Sequence, residues 1–215
     1  MNRKAFAVKI NEGKFNEFRS KLGQIWPDAV KLLDKIGARN MSLWNIEDLV
    51  FGYYETDDVV IPSDSEKIAL AVIEDQFKDI AKWISEPWKP MRLMYQDFGI
   101  VRENKELIRH RVFATKLKGP VEDEYRRRHA ALEEARGDKP TPGPDSNFSI
   151  WSAGGYIFGY DEIDTTMEKA ETEQSREDTI KWEKKMLEIM TWYTDDVDWI
   201  TGEHHKHVSR IAFHS

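Results

Sequence analysis

A chain of 215 residues, 40% apolar and 12% aromatic, has the material for the cores of one large domain or two small ones and is not a disordered sequence. With 39 acidic against 32 basic residues its formal charge is −7, which favours solubility and argues against a nucleic-acid surface as the main business. It has no cysteine, which excludes a disulfide scaffold, a thiol nucleophile and a thiolate metal site.

Residues 1–6 lack an apolar signal core, and no apolar run approaches the roughly 20 residues of a membrane helix, so a cytoplasmic protein is expected. Residues 3–10 alternate polar and apolar as a half-buried strand does, and Asn11-Glu12-Gly13 ends it. From there Phe15, Phe18, Leu22, Ile25, Ala29, Leu33 and Ile36 recur every three or four residues. That period predicts a long amphipathic helix, bent or broken at Pro27 and ended by Gly37. Met41-Ser42-Leu43-Trp44 and residues 49–54 read as two strands joined by a short turn. Ile73, Phe77, Ile80 and Ile84 predict a second helix closed by Pro87 and Pro90, and residues 91–100 a fourth strand. Strand, helix, strand, strand, helix, strand is the order of a ferredoxin-like unit.

The pattern then starts again at a constant offset of 107 residues. Phe6 meets Phe113, Glu17 meets Glu124, Asn40 meets Asn147, Ser42 meets Ser149, Trp44 meets Trp151, and Phe51-Gly52-Tyr53 meets Phe158-Gly159-Tyr160. A register held through three elements marks an internal duplication. Trp182, Met186, Ile189 and Tyr193 repeat the steps of the second helix after a drift of about two residues, and residues 208–213 form the last strand. The expected organisation is a repeat at 1–100, a linker at 101–106 and a second repeat at 107–215. The second copy departs at Lys139-Pro140-Thr141-Pro142-Gly143-Pro144, which cannot stay helical and reads as a pocket-lining or merely connecting loop.

Two inward positions differ between the copies in a way that matters chemically: Phe18 becomes Tyr125 and Leu22 becomes His129. Residues four apart share a helix face, so the second copy turns a phenol and an imidazole where the first turns hydrocarbon. One reading is a hydrogen-bonded core pair; the other is a proton-handling site, for which a group titrating near pH 6.5 is suited. In Glu203-His204-His205-Lys206-His207, His205 and His207 would share a strand face as two metal ligands would, but no second ligand cluster accompanies them. A solvated edge is the plainer reading, and neither a metal nor another cofactor is expected. Phosphate-binding glycine loops, nucleophile elbows and nucleotide fingerprints are missing from the sequence.

Arg3-Lys4-Ala5-Phe6, Glu17-Phe18, Ile25-Trp26-Pro27 and Gly37-Ala38-Arg39-Asn40 resemble the L-rhamnose mutarotases, whose first helix carries a Tyr-x-x-x-His signature ahead of Ile-Trp-Pro. Tyr125-Arg126-Arg127-Arg128-His129 matches that signature, and Trp182-Glu183-Lys184-Lys185-Met186 resembles the aromatic motif of the second helix. Each half keeps a different part: the first has the Ile-Trp-Pro without the Tyr and His, the second the reverse. The resemblance implies an α+β chain of two fused ferredoxin-like units forming an intrachain dimeric α/β barrel, a pseudo-dimer whose further association is left open. It also implies mutarotation, in which a pyranose opens to its aldehyde and closes on the other face. His129 would transfer the proton, Tyr125 would orient the sugar or assist, Trp182 or Trp151 would stack on the ring, and Asn147, Arg111 and Glu183 would bind hydroxyls. The expected partner is a small sugar or sugar-like molecule, with neither nucleic acid nor membrane. Two rivals stand beside this: a non-catalytic carbohydrate-binding or regulatory protein, and an isomerase or lyase acting on another hydroxylated substrate.

Overall fold

The computed structural model describes residues 1–59, 61–86, 91–137, 143–194 and 208–215. They fall into two compact units, Met1–Met91 with Ser209–Ser215 and Arg92–Val208. The first unit holds β1 (Asn2–Ile10), α1 (Phe15–Lys35), β2 (Arg39–Ile46), β3 (Leu49–Thr56), α2 (Asp64–Asp75) and β4 (Ala81–Trp83). The second holds β5 (Arg92–Gly99), β6 (Ile108–Leu117), α3 (Glu122–Arg136), β7 (Asp145–Ala153), β8 (Tyr156–Asp164), α4 (Glu173–Met186) and β9 (Met190–Thr194). The last strand, β10 (Ser209–His214), returns to the first unit. Each unit has one antiparallel five-stranded sheet, in the order β10-β2-β3-β1-β4 and β5-β7-β8-β6-β9. This is the expected α+β class with two ferredoxin-like halves. No helix among the described residues is long and apolar enough to cross a membrane.

The fourth ferredoxin strand is not where the sequence pattern put it. It is β4, paired with β1 from Val8↔Trp83 to Ile10↔Ala81, in a stretch read as helix. The second helix starts earlier, at a capping box in which Ser63 and Glu66 satisfy each other's backbone amides, and ends at Asp75. Phe77 and Ile80 follow in a turn closed by the Ile80 and Ala81 amides on the Phe77 carbonyl, so their spacing came from a turn packed on the core. The second copy behaves alike: the Thr172 and Ser175 box starts α4, Met186 ends it, Ile189 sits in the turn and Tyr193 in β9.

The strand read at 91–100 exists as β5, but it is a fifth strand for the other sheet, pairing with β7 from Arg92↔Ser152 to Gly99↔Ser146. Reciprocally, β10 pairs with β2. Each sheet is thus completed by the terminal strand of the other repeat's sequence. Pro27 does not break α1, which runs through it as one helix. The carbonyl that loses its amide partner belongs to Gly23, exposed on the same side as Pro27, where water can serve it.

One face of each sheet packs on its helices. In the first unit Phe18 and Leu22 of α1 meet Met41, Leu43, Val50 and Ile80, and in the second Tyr125 of α3 and Met186 of α4 meet Phe113, Ile150 and Ile157. The opposite faces repeat the same polar bonds: Trp44 Nε1 donates to Ser42 and Trp151 Nε1 to Ser149, while Tyr53 donates to Glu55 and Tyr160 to Glu162. Both second strands bulge at an asparagine in the left-handed region, Asn40 at φ 51° and Asn147 at φ 55°. The linker is tied to β8 of its own unit, Lys105 to Glu162 at 2.5 Å and Arg102 to Asp164 at 3.4 Å.

Candidate active site

Tyr125 and His129 stand one turn apart on α3, whose first turn carries Glu122, Asp123 and Glu124 at the positive end of the helix dipole. Both face the sheet and are buried, at 2% and 4% exposure. Their rings stack at 4.4 Å and 21°. Tyr95 of β5 lies 5.3 Å from the imidazole and Trp182 of α4 meets it edge-on at 5.0 Å. His129 therefore sits in a cage of three aromatic rings.

A backbone carbonyl beside the imidazole decides its tautomer. His129 Nδ1 is 3.1 Å from the Tyr125 carbonyl, which only accepts, so Nδ1 carries the hydrogen and Nε2 presents a lone pair. Burial pushes the imidazole pKa down to about 4, partly opposed by that hydrogen bond, so the ring is neutral at pH 7. Burial, and then the charge of Glu183, push the Tyr125 phenol far up, so it keeps its proton. The site is a neutral acceptor beside a retained hydroxyl donor.

Of the other expected residues, three share this face. Glu183 is buried on α4 and accepts from Trp192 Nε1 of β9, whose ring meets Phe113 at 5.9 Å. Trp182 packs against the core cluster, with Lys185 Nζ 5.5 Å from its ring centre. Arg111 stretches over the Phe113 ring at 5.3 Å, and its backbone pairs with that of Asp161. Trp151 is turned away: its neighbour Ile150 enters the helix-side core, and the indole bonds Ser149 on the far face. Asn147 occupies the β7 bulge. The sequence reading did not contain Tyr95, Trp192 or Asp161. Residues 139–142 of the proline-rich loop and His204, His205 and His207 lie outside the described residues, among which no cluster of three metal-ligating side chains occurs.

The first unit fills the same place with hydrocarbon. Phe18 meets Phe77 at 5.0 Å with the rings tilted by 44°, and Leu22 belongs to the same buried core.

A family model described as L-rhamnose mutarotase matches residues 3–99 and, separately, residues 110–211. The chain belongs to the L-rhamnose mutarotase family. The two matches begin 107 residues apart (110 less 3), the offset at which the sequence pattern recurs. An L-rhamnose mutarotase of Oceanobacillus iheyensis is 35% identical over 60 residues, 27% of this chain and 58% of that protein. The chain thus spans little more than half the length of that relative. Among solved structures, an L-rhamnose mutarotase from Formosa agariphila is 22% identical, over 40% of this chain and 84% of that one, with a TM-score of 0.31. A protein of Fusobacterium nucleatum described as a monooxygenase is 11% identical, over 88% and 87%, with a TM-score of 0.45.

Proposed function

We propose that this member of the family is an isomerase that interconverts the anomers of a rhamnose-like or related pyranose, with one working site, at His129. The observation that carries the reading is the buried neutral imidazole, whose Nε2 has no hydrogen-bond partner among the described residues, stacked on a protonated phenol. In the ring-opening step Nε2 takes the proton of the anomeric hydroxyl, the bond from C1 to the ring oxygen breaks while the Tyr125 hydroxyl hydrogen-bonds that oxygen, and the imidazolium then returns the proton to the ring oxygen. Rotation about the C1–C2 bond and the reverse transfers close the ring on the other face, leaving both residues as they began. A base of this kind contributes on the order of 10²–10⁴-fold.

Trp182 supplies an aromatic platform for the sugar ring, and Arg111 and Glu183, on the same face, are its hydroxyl partners. Trp151 has no part in this reading, because its indole is committed to the opposite face. A cytoplasmic location goes with a cysteine-free chain acting on a free sugar.

Exchange NMR on a panel of free aldopyranoses that includes L-rhamnose tests the reading. Anomer exchange accelerated by the wild type and reduced at least 100-fold in His129→Ala supports it. Saturation transfer without exchange would instead make the chain a binding protein, and exchange indifferent to His129→Ala would overturn the site.

A further inference from the structure

The strand exchange makes the two sites comparable in a way the constant offset does not. On β7, Ile150 pairs with Tyr95 of β5; on β2, the equivalent Leu43 pairs with Ala212 of β10. The preceding pairs are equivalent too, Trp151 with Leu93 and Trp44 with Arg210, and both strands carry their irregularity at the same step. Tyr95 and Ala212 therefore occupy the same place in the two units. Among the positions that differ around that place, three exchange hydrocarbon for a polar ring: Tyr125, His129 and Tyr95 in one unit stand for Phe18, Leu22 and Ala212 in the other. Ala212 belongs to the hydrocarbon core of its unit, and Tyr95 to the ring cage of His129.

The Tyr95 hydroxyl is held but not used up. Arg136 Nη1 donates to its oxygen at 3.2 Å, and Arg136 is itself fixed by Asp97 at 2.9 Å and by the Gln96 carbonyl at 3.0 Å. A phenol has one hydrogen to give, and among the described residues the Tyr95 hydrogen meets no acceptor, although the side chain is only 7% exposed. The protein thus uses the oxygen of this hydroxyl and leaves its hydrogen for another partner. Backbone docking of β5 on α3 does not need the hydroxyl either, since Arg126 bonds the Met94 carbonyl and Glu133 the Gln96 amide.

We propose that Tyr95 is a third functional group of the His129 site, donating its hydroxyl hydrogen to an oxygen of the bound sugar. The proposal rests on the function proposed above. It means that the site is assembled from both repeats, the second giving the proton-handling pair and the first a ligand-binding donor. The cage then offers one acceptor and two donors, the complement of a hemiacetal, which presents one hydroxyl hydrogen at the anomeric carbon and acceptor oxygens around it.

Tyr95→Phe in the full chain keeps the ring contacts and removes the donor. The expected result is a KM for the exchanged sugar raised about tenfold, the worth of one neutral hydrogen bond, with kcat and Tm little changed. KM and kcat both within twofold of the wild type would overturn the proposal. Arg136→Ala separates a strut from a donor: if it raises KM tenfold while Tyr95→Phe does not, the hydroxyl only anchors the arginine and the proposal falls. If Tyr95→Phe lowers Tm substantially, the role is structural and the proposal falls. Should the wild type bind sugars without exchanging anomers, the mutarotase reading fails by itself, and saturation transfer decides for Tyr95: signal lost in Tyr95→Phe supports it, signal retained overturns it. A wild type that binds none of the panel overturns both.

Discussion

Replacing His129 by leucine, the residue the first repeat has at the equivalent Leu22, isolates the energetics of the buried imidazole. Burial holds the folded-state pKa at about 4 against about 6.5 for an ordinary histidine. A depressed folded pKa means that the unfolded chain binds the proton first. Stability is therefore full above about pH 6.5, falls as the pH drops, and stops falling below about 4, where the native histidine also charges. At about 1.4 kcal/mol for each tenfold change in proton affinity, the whole displacement is worth about 3 kcal/mol, of which about 2 is lost by pH 5. Many carboxylates titrate in the same range, so the informative quantity is the difference between wild type and His129→Leu. That difference should move in favour of the variant by about 2 kcal/mol between pH 7 and pH 5, or roughly 6 °C in Tm for a chain of this size. Thermal unfolding followed by circular dichroism over pH 4–8 reads it. A difference that stays flat through this range would show that His129 does not resist protonation, and the lone pair assigned to Nε2 at neutral pH would lose its physical basis.

Two further substitutions test the frame around the cage. A Cβ at Gly159 would lie 2.0 Å from the Phe113 ring, so Gly159→Ala should push that ring out of the core and destabilise by about 1–3 kcal/mol in chemical denaturation; a cost below 0.5 kcal/mol would refute the packing. Asp161 is 3% exposed, and burial, with the charge of Asp145 adding to it, holds its carboxyl well above the usual range, while its Oδ1 has no partner among the described residues. An acid with a raised folded pKa loses stability as the pH rises past its unfolded value. Asp161→Asn should therefore raise Tm at pH 7, with the gain shrinking towards pH 3.5, and a gain that does not change with pH would refute it.

How far this was legible in the sequence depends on whether the signal was local. The repeat was readable because the bulge asparagines, Asn40 and Asn147, and the buried Ser-Trp and Tyr-Glu pairs behind them keep one spacing. Helix ends were misread where apolar spacing ran on through a turn, at Phe77 and Ile80 and again at Ile189, although the capping boxes at Ser63 and Thr172 marked the true starts. The sequence marked residues 91–100 as a strand, but which sheet edge receives it is a tertiary choice with no local mark. Tyr95 was hidden for that reason: its counterpart is Ala212, 117 residues away (212 less 95), and an alignment at offset 107 never compares them.

The difference between the halves has a thermodynamic reading. Phe18 and Leu22 each gain about 1.5–3 kcal/mol from burial, and Ala212 leaves no polar atom unserved in that core. The second unit gives up part of that gain by setting an imidazole and two phenols where the first unit has hydrocarbon. Setting the polar groups in one core confines their cost to one unit, and under the proposed function the exchanged strand brings Tyr95 to His129 from the first half of the sequence.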